Sequence, residues 1–168
     1  MIFNITHSRN ALNFPYYISV FVHVICAAFW TGGMLFLPLV LLPSIKNNEE
    51  RLSILIKAGI RFRNFGMLAL VLAAVTGITN MYFRGVEFSW DMFNNSSYGR
   101  LVMLKIKMFV FMIIVYSIHD YVIGSRVTAS NNASDKIIRK LASWSRRIAL
   151  VISLFMIFIG IIISRGGF

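Results

Sequence analysis

The chain has 168 residues, of which 58% are hydrophobic and 14% are charged, and its mean hydropathy is +0.73. Soluble domains have roughly 45–50% apolar and about 25% charged residues, so this composition excludes a soluble enzyme, a disordered chain and a disulfide scaffold. The net charge of +11 is typical of cationic loops that flank membrane spans, and we expect no nucleic-acid binding.

Four apolar segments are long enough to cross a membrane as helices, which takes about 20 residues each. They run from about Tyr16 to Leu42, Asn64 to Phe83, Leu101 to Ile123 and Ile148 to Ser164. These runs are continuous and lack the alternation of membrane strands. The sequence predicts an all-α, integral membrane four-helix bundle, antiparallel in up-down order, with residues 1–168 as a single domain. No removable signal peptide is recognisable, so we expect the first span to act as an uncleaved signal.

Basic residues are concentrated in two of the predicted connections, and this sets the expected orientation. The loops after the first and third spans together hold eleven Lys and Arg, against four on the opposite side. The positive-inside rule then places both basic loops in the cytoplasm and both termini outside, in a bacterial-type inner (plasma) membrane. Segments Glu49–Phe62 and Ser134–Arg147 have apolar residues at helical spacing. We expect amphipathic helices there that lie at the cytoplasmic interface or extend the following span.

Polar residues inside a membrane are costly and are functional candidates by default. In the first and third spans they recur every three or four residues, so each set shares one helix face. The first face holds His23, Cys26, Trp30 and Met34; the second holds Lys105, Met108, Met112, Tyr116 and His119. The second span adds Thr76, Gly77 and Asn80, and the fourth adds a small-residue stripe of Ser153, Gly160 and Ser164. Lys107 points away from the Lys105 face and is expected to reach the outer headgroups.

The depths of these residues limit which of them can share a ligand. At about 1.5 Å per residue, His23 and Lys105 lie about 10 Å and 6 Å below the outer ends of their spans. They can therefore face each other, with Asn80 nearby. His119 lies about 27 Å down the third span, too far from His23 for both to ligate one haem. A haem held by His23 and Lys105, or by His119 and Met34, remains open.

Copper is the other candidate ligand. Soft thiolate and thioether groups suit Cu(I), and Cys26 follows His23 by one helical turn, while Met108 and Met112 lie in the third span. No Cys pair is present, and packing or simple hydrogen bonding also explains each residue. His119, next to Asp120, is alternatively a helix-end residue. Hydrolytic or transfer catalysis has no support, because the motifs of serine hydrolases, zinc proteases and phosphate-binding loops are missing from the sequence.

Four stretches resemble the copper resistance protein D family. Residues His23–Pro38 (HVICAAFWTGGMLFLP) resemble its first helix, and Arg61–Arg63 with Thr76–Asn80 (TGITN) resemble its second. Residues Tyr98–Lys105 (YGRLVMLK) resemble its third helix and are the most specific match. The chain is similar to the small stand-alone form of that family. It is more distantly similar to the four-helix membrane protoporphyrinogen oxidases and the membrane b-type cytochromes.

The resemblance implies a four-helix membrane bundle that handles or transports copper. His23 and Lys105 form its polar centre, and Lys105 binds an anion or moves a proton. The expected metal ligands are His23, Cys26, Met108 and Met112, and the expected cofactor-binding residues are His23, Lys105, Trp30, Asn80 and His119. The alternative is a b-type haem protein that oxidises or reduces porphyrin or quinone, as the similar oxidases rely on a His and a Lys at these positions. A third interpretation is an accessory subunit of a membrane complex. A homodimer would supply a second histidine in trans.

Overall fold

The structure, a computed structural model, describes the backbone of residues 3–85, 89–124 and 134–165 and the side chains of 14–85, 89–117 and 144–165. All secondary structure in this part of the chain is helical. The chain divides into two compact units, Met1–Glu87 and Phe88–Phe168. Each unit is built around one pair of long, packed helices.

The first unit begins with α1 (Phe3–Phe36), which continues through a π-helical turn (Leu37–Leu41) into the short α2 (Leu42–Ser44). Pro38 explains the turn, because proline has no N–H for the regular helical hydrogen bond and its ring clashes with the preceding turn. The partner helix α3 spans Arg51–Phe83 without a break. The amphipathic segment predicted at Glu49–Phe62 therefore extends the following span.

Glycine and aromatic residues interlock where α1 packs on α3. Trp30 on α1 lies over Gly66 on α3, and Phe62 on α3 lies over Gly33 on α1. The two rings stack, with centroids 5.6 Å apart and planes 28° apart, a contact worth about 0.5–1.5 kcal/mol beyond its buried area. The helices run antiparallel, because His23 contacts Gly77 whereas the later Gly33 contacts the earlier Phe62. Small residues let the two backbones approach closely.

The second unit contains α4 (Trp90–Asn95), α5 (Ser97–Gly124) and α6 (Ser134–Ser164). Helix α4 lies between the second and third predicted spans, where the sequence analysis predicts no helix. The helix starts at Ser89, whose side chain accepts a hydrogen bond from the backbone N–H of Met92, as an N-cap does. Helix α6 begins at Ser134, so the second predicted amphipathic segment also continues into its span.

Three helical stretches of the described residues are long and apolar enough to cross a membrane: Phe14–Ser44, Arg51–Phe83 and Trp144–Ser164. They contain the first, second and fourth predicted spans. The third predicted span lies in α5, whose described part carries Arg100, Lys105 and Lys107, and its crossing stays a prediction. Many large apolar side chains on the crossing helices are exposed, as a lipid-facing surface requires. The chain is a multi-pass helical membrane protein.

Candidate functional site

His23 is held by α3 through a pair of polar contacts. Its Nδ1 lies 2.9 Å from the carbonyl oxygen of Ala73 and 3.1 Å from the Thr76 hydroxyl. The ring approaches α3 at Gly77, where an added Cβ would lie 3.3 Å from His23 Cε1. The missing side chain at Gly77 thus gives the imidazole room to reach a backbone carbonyl one turn earlier on α3.

These contacts define the tautomer of His23. A carbonyl oxygen only accepts hydrogen bonds, so Nδ1 carries the hydrogen and donates it. The Thr76 hydroxyl donates to the carbonyl oxygen of Leu72, 2.6 Å away, which leaves its oxygen to accept from Nδ1. In the neutral ring the lone pair is then on Nε2. Metal-binding histidines commonly have this arrangement, because a bond from the second nitrogen fixes the ring and raises the basicity of the ligating one.

Further polar groups lie along the same α1–α3 interface. Buried Ser19, one turn before His23, donates from Oγ to the carbonyl oxygen of Thr76 at 3.4 Å. Near the start of the described α1 side chains, Tyr16 accepts a hydrogen bond from Arg84 Nε at 2.9 Å. The Oδ1 of Asn80 is buried and has no hydrogen-bond partner among the described residues. Asn80 therefore offers a buried acceptor in the unit that holds His23.

The other predicted residues of the α1 face also pack towards the interior of the first unit. Cys26 is a free, buried thiol in a cluster with Ala69, Ala73 and the partly buried Val22. Trp30 is 2% exposed and stacks on Phe62. His23, Cys26 and Trp30 thus follow one face of α1 against α3, with the thiol one turn below the imidazole.

The predicted α5 residues lie in the second unit. Met112 is buried, while Lys105, Met108 and Tyr116 are partly buried and Lys107 is exposed. The Nζ of Lys105 lies 3.2 Å from where a Cβ on Gly160 of α6 would be. The side chain of His119 lies outside the described residues. Within that described part, no three His, Cys, Asp or Glu side chains form a cluster able to hold a metal ion.

Sequence reasoning missed two polar residues of the α1–α3 interface, Ser19 and Tyr16. Both continue the spacing of the α1 face, since residues 16, 19, 23, 26 and 30 are separated by three or four positions. That spacing was the signal that could have found them. The partner carbonyl of Ala73 had no such signal, because every residue carries a carbonyl.

Comparison with known proteins places the chain in a family. The family model for copper resistance protein D matches residues 56–164, from the early turns of α3 to the end of α6. The chain belongs to the copper resistance protein D family. An uncharacterized protein of Aquifex aeolicus (strain VF5) is 30% identical over 149 residues, which cover 88% of this chain and 94% of that relative. No solved structure matches the chain.

The family match covers some of the candidate residues and leaves out others. Thr76, Asn80, Lys105 and Gly160 lie inside the matched residues, as does the motif Tyr98–Lys105. His23 and Cys26 lie on α1, before the match begins. The family match therefore does not include His23, and the case for His23 as a site residue comes from the geometry of the first unit. There, the matched helix α3 provides both of the polar contacts described above.

Proposed function

We propose that this copper resistance protein D-type protein handles copper at the inner membrane, with Nε2 of His23 as one metal ligand. The observation that carries the proposal is the bond from His23 Nδ1 to the Ala73 carbonyl, which leaves the lone pair on Nε2. Cu(I) accepts imidazole nitrogen together with thiolate or thioether sulfur. Cys26, one turn away on the same face of α1, is the proposed second ligand.

The alternative is a b-type haem protein active on porphyrin or quinone, because an imidazole nitrogen held in this way also suits haem iron. In that alternative Trp30 and Asn80, which lie in the same unit as His23, would line the haem. Haem iron does not require a thiol, whereas the copper site uses Cys26. The two functions therefore differ in the ligand set, and one set of measurements separates them.

The test is an oxidised-minus-reduced visible spectrum of the purified full chain, together with metal analysis before and after anaerobic loading with Cu(I). Near-stoichiometric copper without a Soret band supports the proposal. Bound copper should then be lost in His23→Ala and retained in Ser19→Ala, which changes the same interface without removing a proposed ligand. A Soret band with near-stoichiometric iron would replace copper handling by the haem alternative. If neither copper nor haem is detected, the role of an accessory subunit is the interpretation that remains.

A further inference from the structure

Lys105 directs its amino group onto the backbone of a neighbouring helix. Its Nζ lies 3.2 Å from the Cβ position of Gly160 on α6, and the side chain is partly buried. Any residue other than glycine at this position would place an atom in contact with the amino group. Gly160 thus forms a notch in the surface of α6 that the end of Lys105 occupies.

Lys107 provides an internal comparison for this arrangement. It follows Lys105 by two residues, so the two lysines differ in depth by only about 3 Å. Lys107 is exposed, as expected for a side chain that reaches towards lipid headgroups. Lys105 instead turns into the contact between α5 and α6. Attraction to headgroups accounts for the direction of Lys107 but not for that of Lys105.

The second unit offers Lys105 no counter-charge among its described side chains. The one acidic side chain described there, Asp91, is exposed and accepts a hydrogen bond from Asn95. Lys105 itself makes no hydrogen bond or ion pair within the described part of the chain. An ammonium group inside the apolar part of a membrane protein carries a high free-energy cost unless an opposite charge pairs with it. A ligand with an anionic group would supply that charge.

We propose that Lys105 and Gly160 form a binding site for the anionic head of a membrane-dissolved amphiphile. The ammonium pairs with carboxylate or phosphate oxygens at the Gly160 notch. The apolar body of the ligand lies along exposed side chains that flank the notch in sequence, among them Leu104, Ile106, Ile157 and Ile161. The site lies wholly within the second unit and does not depend on copper or on His23.

Native mass spectrometry of the full chain from phosphatidylcholine nanodiscs tests this proposal. Oleate and phosphatidylglycerol are titrated separately, so that the two arms distinguish a carboxylate from a phosphate head. In at least one arm the wild-type protein should retain one anionic molecule. Lys105→Met should weaken that binding about tenfold, the scale of one lost charge-assisted contact. Lys107→Met, the matched control, should change it less than about twofold.

Two further variants test the notch and guard against misfolding. Gly160→Ala places a methyl group against Nζ and should weaken binding by a smaller factor than Lys105→Met. Lys105→Arg keeps the charge and should retain more binding than Lys105→Met. Binding is compared only among variants whose thermal stability in detergent equals that of the wild type. The proposal is overturned if the wild type binds neither probe, if Lys107→Met is as damaging as Lys105→Met, or if Gly160→Ala has no effect.

Discussion

His23 on α1 donates a hydrogen bond from Nδ1 to the carbonyl oxygen of Ala73 on α3, 2.9 Å away. This contact joins the two helices of the first unit and at the same time determines which ring nitrogen keeps a lone pair. The same hydrogen bond therefore holds the helix pair together and, in the proposed metal site, orients the ligating ring. Changes on α3 near His23 should affect both the stability of the helix pair and any ligand held by Nε2.

Thr76→Val should destabilise the protein by about 1 kcal/mol, because it removes a hydroxyl that accepts from His23. Thr79→Val is the matched control, since the Thr79 hydroxyl makes the same kind of intrahelical bond, to the carbonyl oxygen of Val75 at 2.9 Å. Denaturant unfolding in detergent measures both variants. Copper binding should fall in Thr76→Val and stay unchanged in Thr79→Val. Equal losses in the two variants would contradict a role for Thr76 in holding His23.

Gly66→Ala should destabilise the protein by about 1–3 kcal/mol through overpacking. The added methyl carbon would lie 2.9 Å and 3.1 Å from two ring carbons of Trp30, a buried and rigid side chain. Gly59→Ala is the control on the same helix, because a Cβ there meets nothing within 4 Å. That control should be stabilising by about 0.5–1 kcal/mol, since alanine favours helix over glycine. Thermal unfolding in one detergent compares the pair, and a neutral Gly66→Ala would refute the interlock.

Hydropathy and helical spacing predicted much of the first unit. The apolar runs predicted its two long helices, and the spacing of His23, Cys26 and Trp30 predicted that they share one face of α1. The structure adds that this face packs on α3. Spacing works here because a helix with one interior face repeats its interior residues every three or four positions. The same rule separated the exposed Lys107 from the partly buried Lys105.

The partners of these residues were not predictable from the sequence. His23 reaches a backbone carbonyl because Gly77 leaves room for the ring, and that fit depends on the register between α1 and α3. The contact of Lys105 with Gly160 likewise depends on how α5 and α6 pack. Helix α4 was missed because a six-residue helix has too few positions to show a period. Its visible signal was Ser89 before Asp91, a pattern typical of a helix start.

The proposed orientation predicts a clear outcome for reporter fusions. A periplasmic alkaline phosphatase fused after Phe168 should be active, because both termini are expected outside. The same enzyme inserted after Asn48, in the connection between α2 and α3, should be inactive. A cytoplasmic reporter at the same two sites should give the opposite pattern. If the fusion after Phe168 were active only with the cytoplasmic reporter, the topology would be inverted.

Cys26→Ser removes the proposed thiolate ligand at the α1–α3 interface and keeps the proposed imidazole ligand, His23. The change keeps the side-chain size but replaces a soft sulfur ligand with a hard hydroxyl, so Cu(I) binding should weaken by about tenfold or more. Haem binding should be unchanged, because His23 remains in place. Ser19→Ala serves as the control for general disturbance of the interface, since Ser19 is buried against the same helix. The measurement is competitive Cu(I) titration against a chromophoric chelator. Full copper affinity in Cys26→Ser would show that the thiol is not a copper ligand. His23 would then have to bind copper together with other residues.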